Sequence, residues 1–246
     1  MITVMAASHA LQQEIAAFET NRGQLVTKSS NKYVLVHGDE IVAIYESESK
    51  AIEDGRSRFG YVPILVERIT ADTEVGLPTM TAYAPSQHGG DLLAPISWKQ
   101  SFGGGLHHFG PVAMVTIGVT DADSEAIIRS GAVVPTPIRA GALIDTGSTY
   151  SSLDQQFIAQ LGLQPVGRID VSGFDSTITL MRYEAEIVFE DGMHLKIIGS
   201  SAQLSRPAES RVPSYQALIG RDVLNSAIFT YDGIHGEVKL QFRTTD

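Results

Sequence analysis

The chain has 246 residues, no cysteine, and 28 acidic against 18 basic side chains, for a formal net charge of −10. This excludes a thiol nucleophile, a disulfide framework and a cysteine-built zinc site, and it argues against a nucleic-acid partner, because no excess positive charge faces phosphates. The length admits one large domain or two small ones; no run of about 18 apolar residues is present to span a membrane, and residues 1–15 lack the basic region and apolar core of a signal peptide, so a soluble, cytoplasmic protein is expected.

In chain order, the first 70 residues read as a small α+β domain. Leu11, Ile15 and Phe18 recur with the period of one helical face. Two short apolar runs, 33–37 and 41–45, flank Gly38-Asp39-Glu40, which is a hairpin signal. Ser47 and Ser49 are candidate N-caps for a helix carrying Ala51, Ile52 and Phe59 and closed by Gly60. The acidic residues Glu46, Glu48, Glu53 and Asp54 read as its solvated face. A third strand is expected over 61–69, with Pro63 at an edge or at its start.

Residues 71–110 are punctuated by Pro78, Pro85, Pro95, Gly89-Gly90 and Gly103-Gly104-Gly105, and they read as a linker or an irregular arm. Leu92, Leu93, Ile96, Trp98 and Phe102 give that arm apolar residues with which to dock on a neighbour. From Pro111 the pattern is β-rich. Val115, Ile117 and Val119 alternate with more polar or smaller residues; so do Tyr183, Ala185, Ile187 and Phe189 against Glu184, Glu186 and Glu190, and Val238, Leu240 and Phe242 against Lys239, Gln241 and Arg243. Short strands with Gly-rich turns indicate a small barrel or sandwich. One helix interrupts them, with a Ser152/Gln155 capping box, Phe157 and Leu161 on one face, and Gly162 at its C-terminus. No internal repeat is found.

The chemistry concentrates in Ala142-Leu143-Ile144-Asp145-Thr146-Gly147-Ser148-Thr149. A carboxylate directly ends a buried apolar run and enters a small, hydroxyl-rich turn. Backbone N–H groups and hydroxyls in such a turn can orient it, and Gly147 lets the backbone approach without a Cβ. The plain alternative is a strand-to-turn connection with Asp145 as an Asx-turn residue. Downstream, Ala217-Leu218-Ile219-Gly220-Arg221-Asp222-Val223-Leu224 is a second apolar strand followed by glycine and a short helix.

Together the two segments resemble the retroviral-type aspartic proteases (retropepsins), specifically their bacterial single-domain relatives, over about residues 111–242. The resemblance implies a mainly β fold: a retropepsin-like closed barrel, or acid-protease half, with one short C-terminal helix. The division is then 1–70, a small α+β domain of unknown role; 71–110, a linker or arm; and 111–246, the protease domain. It implies Asp145, Thr146 and Gly147 as the catalytic loop, with Ser148 supporting the carboxylate. The resemblance also implies that Gly220, Arg221 and Asp222 form a brace behind that loop and that Ser172, Gly173 and Phe174 lie at the tip of a substrate-binding flap. In the viral members an acid just beyond the loop pairs with the helix arginine. Here the sequence reads Ser148-Thr149-Tyr150, so Arg221 is expected to use Asp154 or a backbone carbonyl.

Aspartic proteolysis needs two carboxylates close enough to share one proton. The sequence has one Asp-Thr-Gly, and the flanks of Asp232-Gly233 do not match it. The 111–246 segment is too short for a two-lobed single-chain enzyme. A homodimer giving one Asp145 per subunit is therefore expected, acting on a peptide or protein substrate with no cofactor and no metal. Ile144, Phe174 and Ile178 are candidate pocket walls, with plain core or hairpin packing as the alternative. His107-His108 is read as an exposed pair and not a metal site. No His-Glu-x-x-His, Gly-x-Ser-x-Gly or P-loop pattern is present. Two other functions compete: a catalytically silent protease-like module for dimerisation or peptide binding, and, more remotely, an actin/sugar-kinase-type ATPase, whose second phosphate loop is missing. Residues 1–110 are open to self-cleavage, inhibitory and substrate-recruiting roles.

Overall fold

The computed structural model describes residues 10–71, 93–99, 106, 109–172, 177–204 and 215–242. In chain order these form α1 (Gln12–Ser29), β1 (Tyr33–His37), β2 (Glu40–Tyr45), α2 (Glu48–Phe59), β3 (Leu65–Arg68), β4 (Ile96–Lys99), β5 (Val112–Gly118), α3 (Asp121–Arg129) and β6 (Ile138–Ile144). There follow β7 (Ser152–Asp154), α4 (Gln155–Leu161), β8 (Pro165–Ser172), β9 (Thr177–Phe189), β10 (His194–Ala202), β11 (Ala217–Ile219), α5 (Arg221–Leu224), β12 (Ala227–Asp232) and β13 (Glu237–Phe242).

The chain divides into two compact units built from discontinuous segments. One comprises 1–76, 120–134 and 163–184; the other comprises 77–119, 135–162 and 185–246. This partition in space is not the linear one of 1–70, 71–110 and 111–246.

In the first unit, β1 is the central strand of an antiparallel sheet ordered β2-β1-β3. Tyr33, Val34, Leu35 and Val36 are all buried, as a central strand covered on both faces requires. Helix α2 starts at Ser47, whose side chain accepts from the Lys50 N–H, and stops at Gly60 with φ 79°. Within it, a Cβ on Gly55 would come within 2.6 Å of Ile64 Cδ1, so the glycine lets the helix press onto the sheet. The acidic face of α2 is not wholly solvated: Glu48 is buried and pairs with Arg182 at 2.6 Å. The sequence pattern also misses α3. Thr120 caps it by accepting from the Asp123 N–H at 3.2 Å, and Ala126 and Ile127 are buried. Its Asp123 meets the fully buried Arg56 Nε at 2.6 Å, and the Arg56 guanidinium also donates to the Val62 carbonyl and lies 5.1 Å from the Tyr61 ring centroid. Strand β8 pairs antiparallel with 177–183 of β9, from Pro165↔Tyr183 to Ser172↔Thr177.

In the second unit six strands close on themselves in the order β10-β7-β11-β6-β5-β9 and back to β10, a mainly β barrel. Two of its pairs, β6 with β11 and β7 with β10, are parallel. Val115, Ile117, Ala142, Ile144, Leu153, Ala185, Ile187, Phe189, Leu195, Ile197, Ala217 and Ile219 are all buried there. A further antiparallel sheet, β12-β13-β4, stands in the same unit. Part of the stretch read as an irregular arm is therefore strand: Ile96–Lys99 pairs with β13, and Leu93 donates to the Phe242 carbonyl at 3.0 Å. Leu92, Phe102 and His107-His108 lie outside the described residues. Helix α4 is capped by Asp154, which accepts from the Gln156 N–H at 2.9 Å, and not by Ser152, whose hydroxyl faces that of Ser200. Gly162 ends it in the left-handed conformation. Among the described residues, no helix is long and apolar enough to cross a membrane.

Candidate active site

The parallel pair β6–β11 sets the site. Ala142, Leu143 and Ile144 lie opposite Ala217, Leu218 and Ile219, and the ladder ends with the Asp145 N–H donating to the Ile219 carbonyl at 2.9 Å. Both chains leave the barrel at this level, one into the Asp-Thr-Gly turn and the other into Gly220 and α5. The turn closes with the Ser148 N–H on the Asp145 carbonyl at 3.3 Å. The Gly147 N–H donates to Asp145 Oδ1 at 2.8 Å. A Cβ on Gly147 would sit 3.0 Å from that oxygen, so glycine leaves the carboxylate free to take the N–H. Asp145 is half-buried, while Thr146 and Gly147 are exposed.

The second segment packs behind the turn. A Cβ on Gly220 would fall 2.6 Å from the Tyr150 carbonyl carbon, a contact only glycine avoids. The Arg221 N–H donates to the Ser148 carbonyl at 3.0 Å and the Asp222 N–H to that of Thr149 at 3.1 Å. The carboxylate of Asp222 is buried and takes the Ser151 N–H on Oδ2 and the Ser151 hydroxyl on Oδ1, both at 2.8 Å. The same hydroxyl accepts from the Gly220 N–H at 3.0 Å. Arg221 donates to the Thr149 hydroxyl at 2.7 Å, neither to Asp154 nor to a carbonyl. Asp154 instead caps α4 and accepts from the Leu204 N–H.

Gly220, Arg221 and Asp222 thus all meet 148–151, with the acid and not the arginine making the buried contacts. Ser151 is the residue that pattern reading missed. It is fully buried and central to this network, yet a serine after a turn carries no signal of that in sequence. The Ser148 hydroxyl donates to the Tyr150 carbonyl at 2.8 Å and so shapes the turn, where carboxylate support was expected of it. Ser172 ends β8; Gly173 and Phe174 lie outside the described residues. Ile178 is exposed on β9.

A cleft of about 450 Å³ opens beside the carboxylate, lined by Phe109, Leu143, Ile144, Phe229 and Tyr231 together with Asp145 and Thr146. Ile144 therefore lines a cavity as well as the core. Among the described residues, no cluster of three or more His, Asp or Glu side chains is arranged to hold a metal ion.

A closed barrel bearing Asp-Thr-Gly at the end of one of two parallel strands fits an acid-protease-like fold. No protein-family profile matches the chain. No curated protein matches it either. Among solved structures, the chain is similar to EIAV protease complexed with the inhibitor HBY-793, at 19% identity and a TM-score of 0.28, covering 47% of this chain and 85% of that one.

Proposed function

We propose that this chain is an aspartic endopeptidase whose active form is a homodimer, each subunit contributing Asp145. The observation that supports it most is the Asp145 carboxylate itself. It is half-buried, takes the Gly147 N–H, and stands on a turn whose carbonyls are held by the backbone of α5. A carboxylate so oriented, opening on a cleft lined by both polar and apolar groups, is placed to act on a polarised bond. Alone it is half of a catalytic pair.

Two such carboxylates about a two-fold axis would share one proton, because like charges that close cannot both ionise. The ionised one takes a proton from water as the water attacks the peptide carbonyl carbon. The protonated one donates to the carbonyl oxygen. As the C–N bond breaks, the first carboxyl gives its proton to the leaving amine and a hydroxyl of the tetrahedral gem-diol returns a proton to the second carboxylate, so the pair again holds one proton and titrates as a unit. Thr146, exposed on the turn, is proposed to hold the loop across the axis. Ser148 holds the turn through the Tyr150 carbonyl. Gly220, Arg221 and Asp222 brace it from behind, and Ser172, Gly173 and Phe174 act on substrate as a flap. The substrate binds as an extended strand, with main-chain hydrogen bonds giving general affinity and apolar side chains giving selectivity.

The experiment is sedimentation of the purified chain together with peptide cleavage, for wild type and Asp145→Asn. Cleavage that tracks a dimer and is lost in the variant is expected. An obligate monomer that retains activity overturns the reading.

A further inference from the structure

Strand β8 and residues 177–184 of β9 form a hairpin, and a two-stranded hairpin alone is marginal in water. Its β8 edge is not left open. The Ile64 N–H donates to the Pro165 carbonyl at 3.2 Å, and β3 runs so close that a Cβ on Gly167 would lie 2.9 Å from the Val66 carbonyl oxygen. The hairpin's two arginines are taken by three different elements of the first 71 residues. Arg168 meets Glu67 of β3 at 3.2 Å and Glu19 of α1 at 2.5 Å. Arg182 meets Glu48 of α2 at 2.6 Å, with both side chains buried. Helix α3 is tied to the same segment, through Arg56–Asp123 and through Arg129 donating to the Arg56 carbonyl at 3.2 Å.

We propose that residues 10–71 are a permanent clamp on the 165–184 hairpin, fixing its stem through Glu19, Glu48 and Glu67, and are not a leader to be cut away or an independent recruiting domain. The clamp combines backbone contacts with ion pairs. Three carboxylates face two guanidiniums. Burial pushes the Glu67 carboxyl up to about 7 against the pull of Arg168, which leaves one proton near balance at neutral pH. The clamp's role in substrate binding rests on the proposed flap; the clamp itself does not.

The test is amide hydrogen exchange, read by mass spectrometry on the full chain, for wild type, Glu19→Gln/Glu67→Gln and the milder Glu19→Gln. The double variant should exchange about tenfold faster or more over 165–172 and 177–184, with 112–118 and 138–144 unchanged. Glu19→Gln, a change at an exposed side chain, should give a smaller acceleration confined to the same segments. Arg139→Gln, which breaks the exposed Arg139–Glu190 pair elsewhere, should leave the hairpin as in wild type. Unchanged hairpin exchange in both Glu variants, or equal acceleration in all four segments, overturns the clamp. Because exchange is read without substrate, failure of the protease reading leaves this result standing. In peptide cleavage the double variant should raise KM with kcat kept, whereas a fall in kcat alone overturns the hairpin's role in substrate binding.

Discussion

Ser151 and Asp222 hold each other across 71 residues of sequence: the serine N–H and hydroxyl each donate to one oxygen of the buried carboxylate at 2.8 Å. Truncating the acid strands two buried donors and frees the end of α5. Asp222→Ala should therefore cost about 3 kcal/mol. Asp222→Asn, which keeps one accepting oxygen but turns an N–H donor toward the Ser151 N–H, should cost about 1–2 kcal/mol. Urea denaturation of the two variants checks both the size and the order.

Gly220→Ala tests packing at the same place. Its φ of −92° suits any residue, so the effect is steric alone. With Tyr150 backbone atoms at 2.6 and 2.7 Å from the new Cβ, the turn after Asp145 must move. A loss of about 2–3 kcal/mol is expected, with peptide cleavage reduced more than stability explains. Comparing kcat/KM well below the melting temperature separates the two.

Thr149→Ala should behave differently. The Arg221–Thr149 contact is exposed, and exposed polar contacts contribute little. The melting temperature should shift by no more than about 2 °C. A loss comparable to that of Asp222→Ala would assign the brace to the arginine.

Glu67 predicts a pH dependence. Its carboxyl is raised from 4.5 to about 7, chiefly by burial, with Arg168 and Arg182 opposing and Glu48 reinforcing the shift; Glu19 shares Arg168. The folded state then binds this proton more tightly than the unfolded one. The stability it contributes is fully present below about 4.5 and is lost as pH rises through about 7. Thermal melts at pH 5, 6, 7 and 8 should fall more steeply for wild type than for Glu67→Gln.

The barrel strands were readable because alternation in 183–189 and 238–242 and an apolar run at 142–144 mark buried faces directly, and Asp145 stands out as a charge ending such a run. Gly162 and Gly60 marked helix ends because only their backbone freedom suits those turns. What escaped was set by contacts distant in sequence. Glu48 and Glu184 look solvated in any local pattern, yet Glu48 is buried against Arg182, and buried Glu184 accepts from the Thr120 hydroxyl at 3.5 Å. Helix α3 buries only Asp123, Ala126 and Ile127 and leaves Ile128 exposed, so its apolar period is too short to see. Strand β4, four residues behind a proline, gains its identity from β13.

The most direct measurement is cleavage of an extended-peptide library by the purified full chain, wild type beside Asp145→Asn, with both shown folded by circular dichroism. Wild type should cleave, and the variant should lose about a thousandfold or more of that activity. Cleavage by the variant at the wild-type rate, or none by either protein across the library, would contradict a catalytic role for Asp145.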